Sequence, residues 1–215
     1  MIALTNAYGF TSEPFGSDIP IDKLFPLPEF DSFLDRFDYA VHLGAVTVIT
    51  GEVGSGKSTS LRAASNRLHP SQYKVITLIA TTGSMRELVR QICLELGSPE
   101  THNSTAKLFK AIRDQLQGIN QKKLTPVIII DEAHLIRTEV FSQLHTLAQT
   151  PFDAQSLTPI VLSGQTTLID KLLYHTAKPF ASRVLGRTHL EGLQRGDMQA
   201  YLLHHLNIAG GKEDL

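Results

Sequence analysis

Apolar positions along this chain alternate between two spacings, and the alternation lays out its elements. Compact runs of aliphatic and β-branched residues at 45–50, 75–79, 127–130 and 160–162 have the length and composition of strands buried on both faces. Between them apolar residues recur every three or four positions, as on one face of a helix; Leu108, Phe109, Ile112 and Leu116 are one such set. The pattern predicts helices over 57–68, 84–96, 103–117, 138–149, 166–174 and 179–184, and a short fifth strand at 188–190. Ser84 with Glu87 reads as a capping box, Gly97 as the stop of that helix, and Pro126 as a strand opener that needs no N–H. Alternation of this kind implies a parallel sheet covered by helices on both sides.

The two ends depart from the pattern. In residues 1–44, Pro14, Pro20, Pro26 and Pro28 are interleaved with Phe10, Phe15, Phe25 and Phe30. The segment is expected to pack across the domain as an extension, its last part (30–43) turning helical through Phe30, Phe33, Leu34, Phe37 and Val41. Residues 45–192 hold the α/β core. From 193 to 215 there is one helix, at 197–206, which reads as the start of a small second unit.

Composition narrows the class. A chain of 215 residues with 42% hydrophobic content suits one α/β domain with a full core. The net charge of −1 gives no global polyanion signal, so nucleic-acid contact would need a local patch or several subunits acting together. Lys122, Lys123, Lys178, Arg187 and Arg195 are the candidates for such contact. The single Cys93 excludes an internal disulfide. The start of the chain lacks a signal-peptide pattern, and no apolar run approaches the roughly 18 residues of a membrane span. The expectation is a soluble, cytoplasmic protein.

The chemistry is concentrated in residues 51–58, Gly-Glu-Val-Gly-Ser-Gly-Lys-Ser, which fit G-x-x-x-x-G-K-[ST]. In such a loop successive backbone N–H groups wrap phosphates, and Gly51, Gly54 and Gly56 allow the close approach. Glu52, Val53, Ser55 and Thr59 complete the cradle. Lys57 would reach the β- and γ-phosphates, the Ser58 hydroxyl would hold Mg²⁺, and the helix that follows adds its positive end. The third strand ends in Asp131-Glu132. Asp131 would bind Mg²⁺ through water, and Glu132 would activate the attacking water. An acid poised on water points to hydrolysis that drives conformational change rather than to phosphoryl transfer between small molecules.

Three further features follow. The fourth strand ends in Ser163-Gly164-Gln165; Ser163 or Gln165 could report the γ-phosphate, and Gln165 has the longer reach. Arg183, before the last strand, could act in a neighbouring subunit's site, with Arg187 as its rival. Residues 131–134 spell Asp-Glu-Ala-His, as in one helicase group, but a helicase motor needs two such domains. His134, His145, His175, His189, His204 and His205 show no metal-ligand spacing and read as surface or core histidines.

Together these motifs resemble the AAA+ ATPases. Tyr8-Gly9-Phe10-Thr11-Ser12-Glu13-Pro14-Phe15, the loop at 50–59, Ile130-Asp131-Glu132-Ala133-His134-Leu135 and Ser163-Gly164-Gln165 are similar to the ExeA-like group, over nearly all of residues 1–210. The resemblance implies a three-layer P-loop NTPase sandwich with a five-stranded parallel sheet in the order 5-1-4-3-2. It implies ATP as the nucleotide, Mg²⁺ as cofactor, Arg183 as a finger acting in trans, and a ring or filament of identical subunits. That group has two branches: transposition ATPases similar to TnsC and Mu B, which polymerise on double-stranded DNA and recruit a transposase, and ATPase modules of secretion systems. Asp18-Ile19-Pro20-Ile21-Asp22-Lys23-Leu24-Phe25 and the lack of a membrane span favour the first. The resemblance also implies a helical lid after the last strand, with a nucleotide-sensing arginine, of which residues 193–215 are expected to form only the start.

Overall fold

The computed structural model describes residues 9–16, 18–27, 29–98, 104–147 and 158–210. A 3-10 turn (Ile21–Lys23) precedes α1 (Phe30–His42), β1 (Val46–Gly51), α2 (Lys57–Arg67), β2 (Tyr73–Ile79), α3 (Met85–Glu95) and α4 (Thr105–Gln121). There follow β3 (Thr125–Asp131), a 3-10 turn (Ala133–Leu135), α5 (Thr138–Leu147), β4 (Ile160–Gly164) and α6 (Thr167–Leu173). The short α7 (Lys178–Ala181), β5 (Val184–Leu190) and α8 (Arg195–Ile208) complete the described chain.

All strand pairings are parallel, and the five strands run β2-β3-β4-β1-β5, the expected order read from the opposite edge. The reason lies in the unbroken apolar runs. In β3 alternate side chains leave the sheet on opposite faces, so Ile128 and Ile130 pack under α3–α7 while Val127 and Ile129 pack under α1 and α2. A strand clothed on both sides has no polar face to present. Phe33 and Phe37 fill the α1 side and Phe141 and Phe180 the other, all four fully enclosed.

Several elements differ from the expected bounds. The helix expected to reach 184 stops at Ala181, and the last strand begins four residues earlier than expected, at Val184 rather than 188. Ladder pairing decides this: the Val46 N–H donates to the Arg183 carbonyl at 3.1 Å, and a bulge at Leu185 and Gly186 restores register. Ser84 does sit at the start of α3, but its side chain makes no cap hydrogen bond, so the capping box is not formed. The helix expected to end at 117 continues to Gln121 and stops where Lys123 turns to φ 60°. The expected helix residues 103, 148 and 149, and residues 1–8 and 211–215 of the two end segments, lie outside the described residues.

The N-terminal stretch and α8 brace each other beside the carboxyl ends of the strands. Thr11 donates to the Ala209 carbonyl from its backbone N–H (2.7 Å) and its hydroxyl (3.0 Å). His204 Nε2 donates to the Lys23 carbonyl at 2.8 Å and His205 Nδ1 to that of Pro14 at 3.0 Å, since a carbonyl can only accept. Tyr201 meets Phe15 in a stacked pair and Phe25 edge-on. Within α8 itself only His205 is buried, so this aromatic and hydrogen-bonded seam carries much of the helix's attachment.

Candidate nucleotide site

At the carboxyl end of β1 the chain must turn sharply into α2, and glycine makes the turn possible. Gly54 and Gly56 take φ values of 83° and 92°, in the left-handed region that side chains disfavour. A Cβ on Gly56 would lie 2.8 Å from Leu27 Cδ1, and one on Gly51 would lie 2.6 Å from the Leu190 carbonyl oxygen. The loop is thus a bare-backbone cradle closed in by its neighbours. The Ser55 hydroxyl is buried in it without a hydrogen-bond partner among the described residues.

Lys57 points into this cradle. Its Nζ is buried and donates to the loop's own carbonyls, Gly51 at 2.9 Å and Glu52 at 2.7 Å. An ammonium drawn inward by two carbonyls, beside backbone N–H groups at a helix start, makes this end of the loop electropositive. The hydroxyl of Ser58 donates to Asp131 Oδ2 at 3.2 Å, which joins α2 to the end of β3. These two oxygens are the hard donors that Mg²⁺ prefers, and they are adjacent. Among the described residues no three His, Cys, Asp or Glu side chains gather, so an ion here would complete its shell from phosphate and water.

Topology places the remaining groups. β4 lies between β1 and β3, so Gln165, one residue past its end, emerges between the loop and the acid pair. Glu132 adopts φ 54° and ψ 29°, strained for a residue with a side chain, and its N–H caps Asp131 Oδ1 at 2.9 Å. A cleft of about 290 Å³ is lined by Lys57, Ser58, Glu132, Gln165 and loop residues 53, 54, 56 and 59. Ser163, the other candidate reporter, is fully buried inside β4 and does not reach the cleft.

A larger chamber of about 590 Å³ opens on the other side of the loop. Its walls include Phe15, Leu24, Phe25 and Leu27 from the N-terminal stretch, Met198, Tyr201 and His205 from α8, and Arg62 from α2. Arg62 donates to the Ile19 carbonyl at 2.7 Å and so ties the N-terminal stretch to the helix that follows the loop. None of these residues was legible as a site residue in the sequence. The spacing of proline and aromatic residues signals packing, but not the surface it packs on.

Arg183 stands at the amino end of β5, opposite the amino end of β1, and therefore about 17 Å of strand away from the loop of the same chain. Arg187 is exposed on β5 with its carbonyl bonded to Arg36. The basic candidates do not converge: Lys122, Lys123 and Lys178 lie toward the amino ends of the strands, and Arg195 lies past the carboxyl end of β5.

A phosphate loop after an interior strand, β1, with an acid pair two strands across on β3 and β4 threaded between, is the layout of the P-loop ATPases, and it defines this chain's class. The family model described as the AAA domain matches residues 42–173, and the chain belongs to that family. Over 208 residues it is 29% identical to general secretion pathway protein A of Aeromonas hydrophila, covering 96% of this chain and 38% of that protein. Over 174 residues it is 25% identical to the ATP-dependent target DNA activator B of Escherichia phage Mu, covering 79% of this chain and 51% of that one. The chain thus spans about half or less of the length of these relatives. Among solved structures it is similar to the Aeropyrum pernix ORC2 protein, with a TM-score of 0.69, 15% identity, and coverage of 93% of this chain and 56% of that one.

Proposed function

We propose that this protein binds ATP with Mg²⁺, hydrolyses its β–γ anhydride bond, and uses the cycle to assemble as an oligomer on double-stranded DNA and regulate transposition. The observation that carries the hydrolysis is the convergence of Lys57, Ser58, Glu132 and Gln165 on one cleft. There the loop N–H groups and Lys57 bind and neutralise the phosphates. Ser58 and Asp131 hold the ion, and Mg²⁺ when bound withdraws charge from the phosphate oxygens. Glu132 orients a water in line with the γ-phosphorus and takes its proton, and Gln165 registers the γ-phosphate. The aromatic chamber beside the loop takes the base. Arg183 completes the site of a neighbouring subunit, which makes turnover depend on assembly.

Two of the curated relatives, those of phages Mu and D108, are ATP-dependent target DNA activators, and this similarity supports the DNA role and a transposase as partner. A second reading, the ATPase module of a secretion assembly, is favoured by the longer and closer match to general secretion pathway protein A. Among the described residues no helix is long and apolar enough to cross a membrane; a membrane partner would belong to the second reading. Phosphate release and electron microscopy, with and without duplex DNA and ATP, separate the two. The DNA reading requires nucleotide-dependent binding and filaments or rings on DNA. Absence of DNA binding in every nucleotide state overturns it and leaves the secretion reading.

A further inference from the structure

His134 completes the Asp-Glu-Ala-His string and has no part in the scheme above, yet its surroundings tie it to the reacting end of the site. Gly164, the last residue of β4, has no room for a side chain, because a Cβ there would lie 2.9 Å from the His134 backbone nitrogen. On the other side Lys171 of α6 donates from Nζ to the His134 carbonyl and, at 2.9 Å, to that of Ile136. The elements flanking Gln165 therefore grip His134 by its backbone. Its buried Nδ1 lies 3.2 Å from Glu132 Oε2 but off the hydrogen-bonding axis, and it satisfies no hydrogen bond among the described residues. The Glu132 carboxylate is by contrast substantially exposed and carries three side-chain torsions. A carboxylate this free spends much of its time away from the attacking water unless something holds it. A small rotation of Glu132 would pair the orphaned nitrogen and fix the carboxylate.

We infer that His134 is a positioning residue: its Nδ1–H holds the Glu132 carboxylate at the cleft, and its grip by β4 and α6 links that hold to the strand that carries Gln165. The inference rests on the reading of Glu132 as the water-activating base, and the variants are chosen so that the two can fail separately. Steady-state phosphate release and titration with a fluorescent ATP analogue are measured on the whole chain carrying His134→Ala, His134→Asn, His134→Gln or Glu132→Gln. His134→Ala is expected to lower kcat about tenfold with KM and nucleotide affinity unchanged. Asn places its Nδ2–H where Nδ1–H stood and should restore most of the rate. Gln places its N–H one bond further out and should not.

If Glu132→Gln is inactive while His134→Ala turns over within about twofold of the unaltered protein, the positioning role is overturned and the base remains. If Glu132→Gln turns over normally, the base assignment itself falls. Should His134→Ala fail to fold, the Asn and Gln variants decide, each checked by its thermal midpoint. Equal losses in those two, at equal stability, overturn the inference, since the position of the N–H would then not matter.

Discussion

Glu132 shows most clearly how a single residue is prepared for its place. A left-handed backbone on a non-glycine residue costs about 1–3 kcal/mol, and here it turns the residue after β3 toward the cleft. Glu132→Gln is expected to keep ATP binding and to lower hydrolysis by at least about a hundredfold, measured as phosphate release against retained bound nucleotide. Lys57→Ala removes the cation at the centre of the cradle and is expected to abolish nucleotide binding in the same titration. Gly164→Ala tests the close approach to His134: with the neighbour's backbone nitrogen 2.9 Å from the new Cβ, a loss of about 1–3 kcal/mol is expected in denaturant unfolding.

At the scale of elements, the seam between the N-terminal stretch and α8 is the feature that pH can reach. Burial first, and the neighbouring His204 in addition, push the His205 pKa below its ordinary value of 6.5, while the bond to the Pro14 carbonyl opposes them. The unfolded chain therefore takes up a proton at a higher pH than the folded one. The contribution of this group to stability is intact above that ordinary value and is lost as pH falls from about 6.5 toward the lower folded pKa. Thermal unfolding between pH 7.5 and about 5.5 should show a falling midpoint whose slope is reduced in His205→Asn, which can still donate to Pro14. An unchanged slope would remove His205 from the explanation. Because the same seam walls the larger chamber, Tyr201→Ala should also weaken nucleotide affinity, with the phosphate contacts untouched.

For the whole molecule the question is whether one subunit suffices. The site in a single chain brings together the cradle, the acid pair and Gln165, but its candidate finger lies at the other end of the sheet. Arg183→Ala is accordingly expected to spare nucleotide binding and to lower turnover by at least about tenfold at protein concentrations where the unaltered chain assembles. At high dilution the two proteins should turn over alike. If Arg187→Ala gives that pattern instead, the two arginines exchange roles. The dispersed placement of Lys122, Lys178 and Arg195 agrees with the low net charge: a DNA-binding surface would have to be composed by neighbouring subunits, so DNA affinity should rise steeply with protein concentration.

The sequence by itself determined the parts whose chemistry is local. The phosphate loop, the strand ending in Asp131-Glu132 and the alternation of strand and helix are written in contiguous residues, because a glycine turn, a buried strand and a helix face each depend on near neighbours. The strand order came through the family resemblance carried by those same motifs. What only the tertiary structure decided depends on residues far apart in the chain. The start of β5 was set by its ladder to β1 rather than by its own propensity. That Gln165 and not Ser163 lines the cleft followed from burial: Ser163 is enclosed within β4, while Gln165 stands just past its end. The chamber formed by Phe15, Phe25 and Tyr201, and the approach of His134 to Glu132 under Gly164 and Lys171, arise from packing between elements, and no spacing within one segment records which surface another segment will meet.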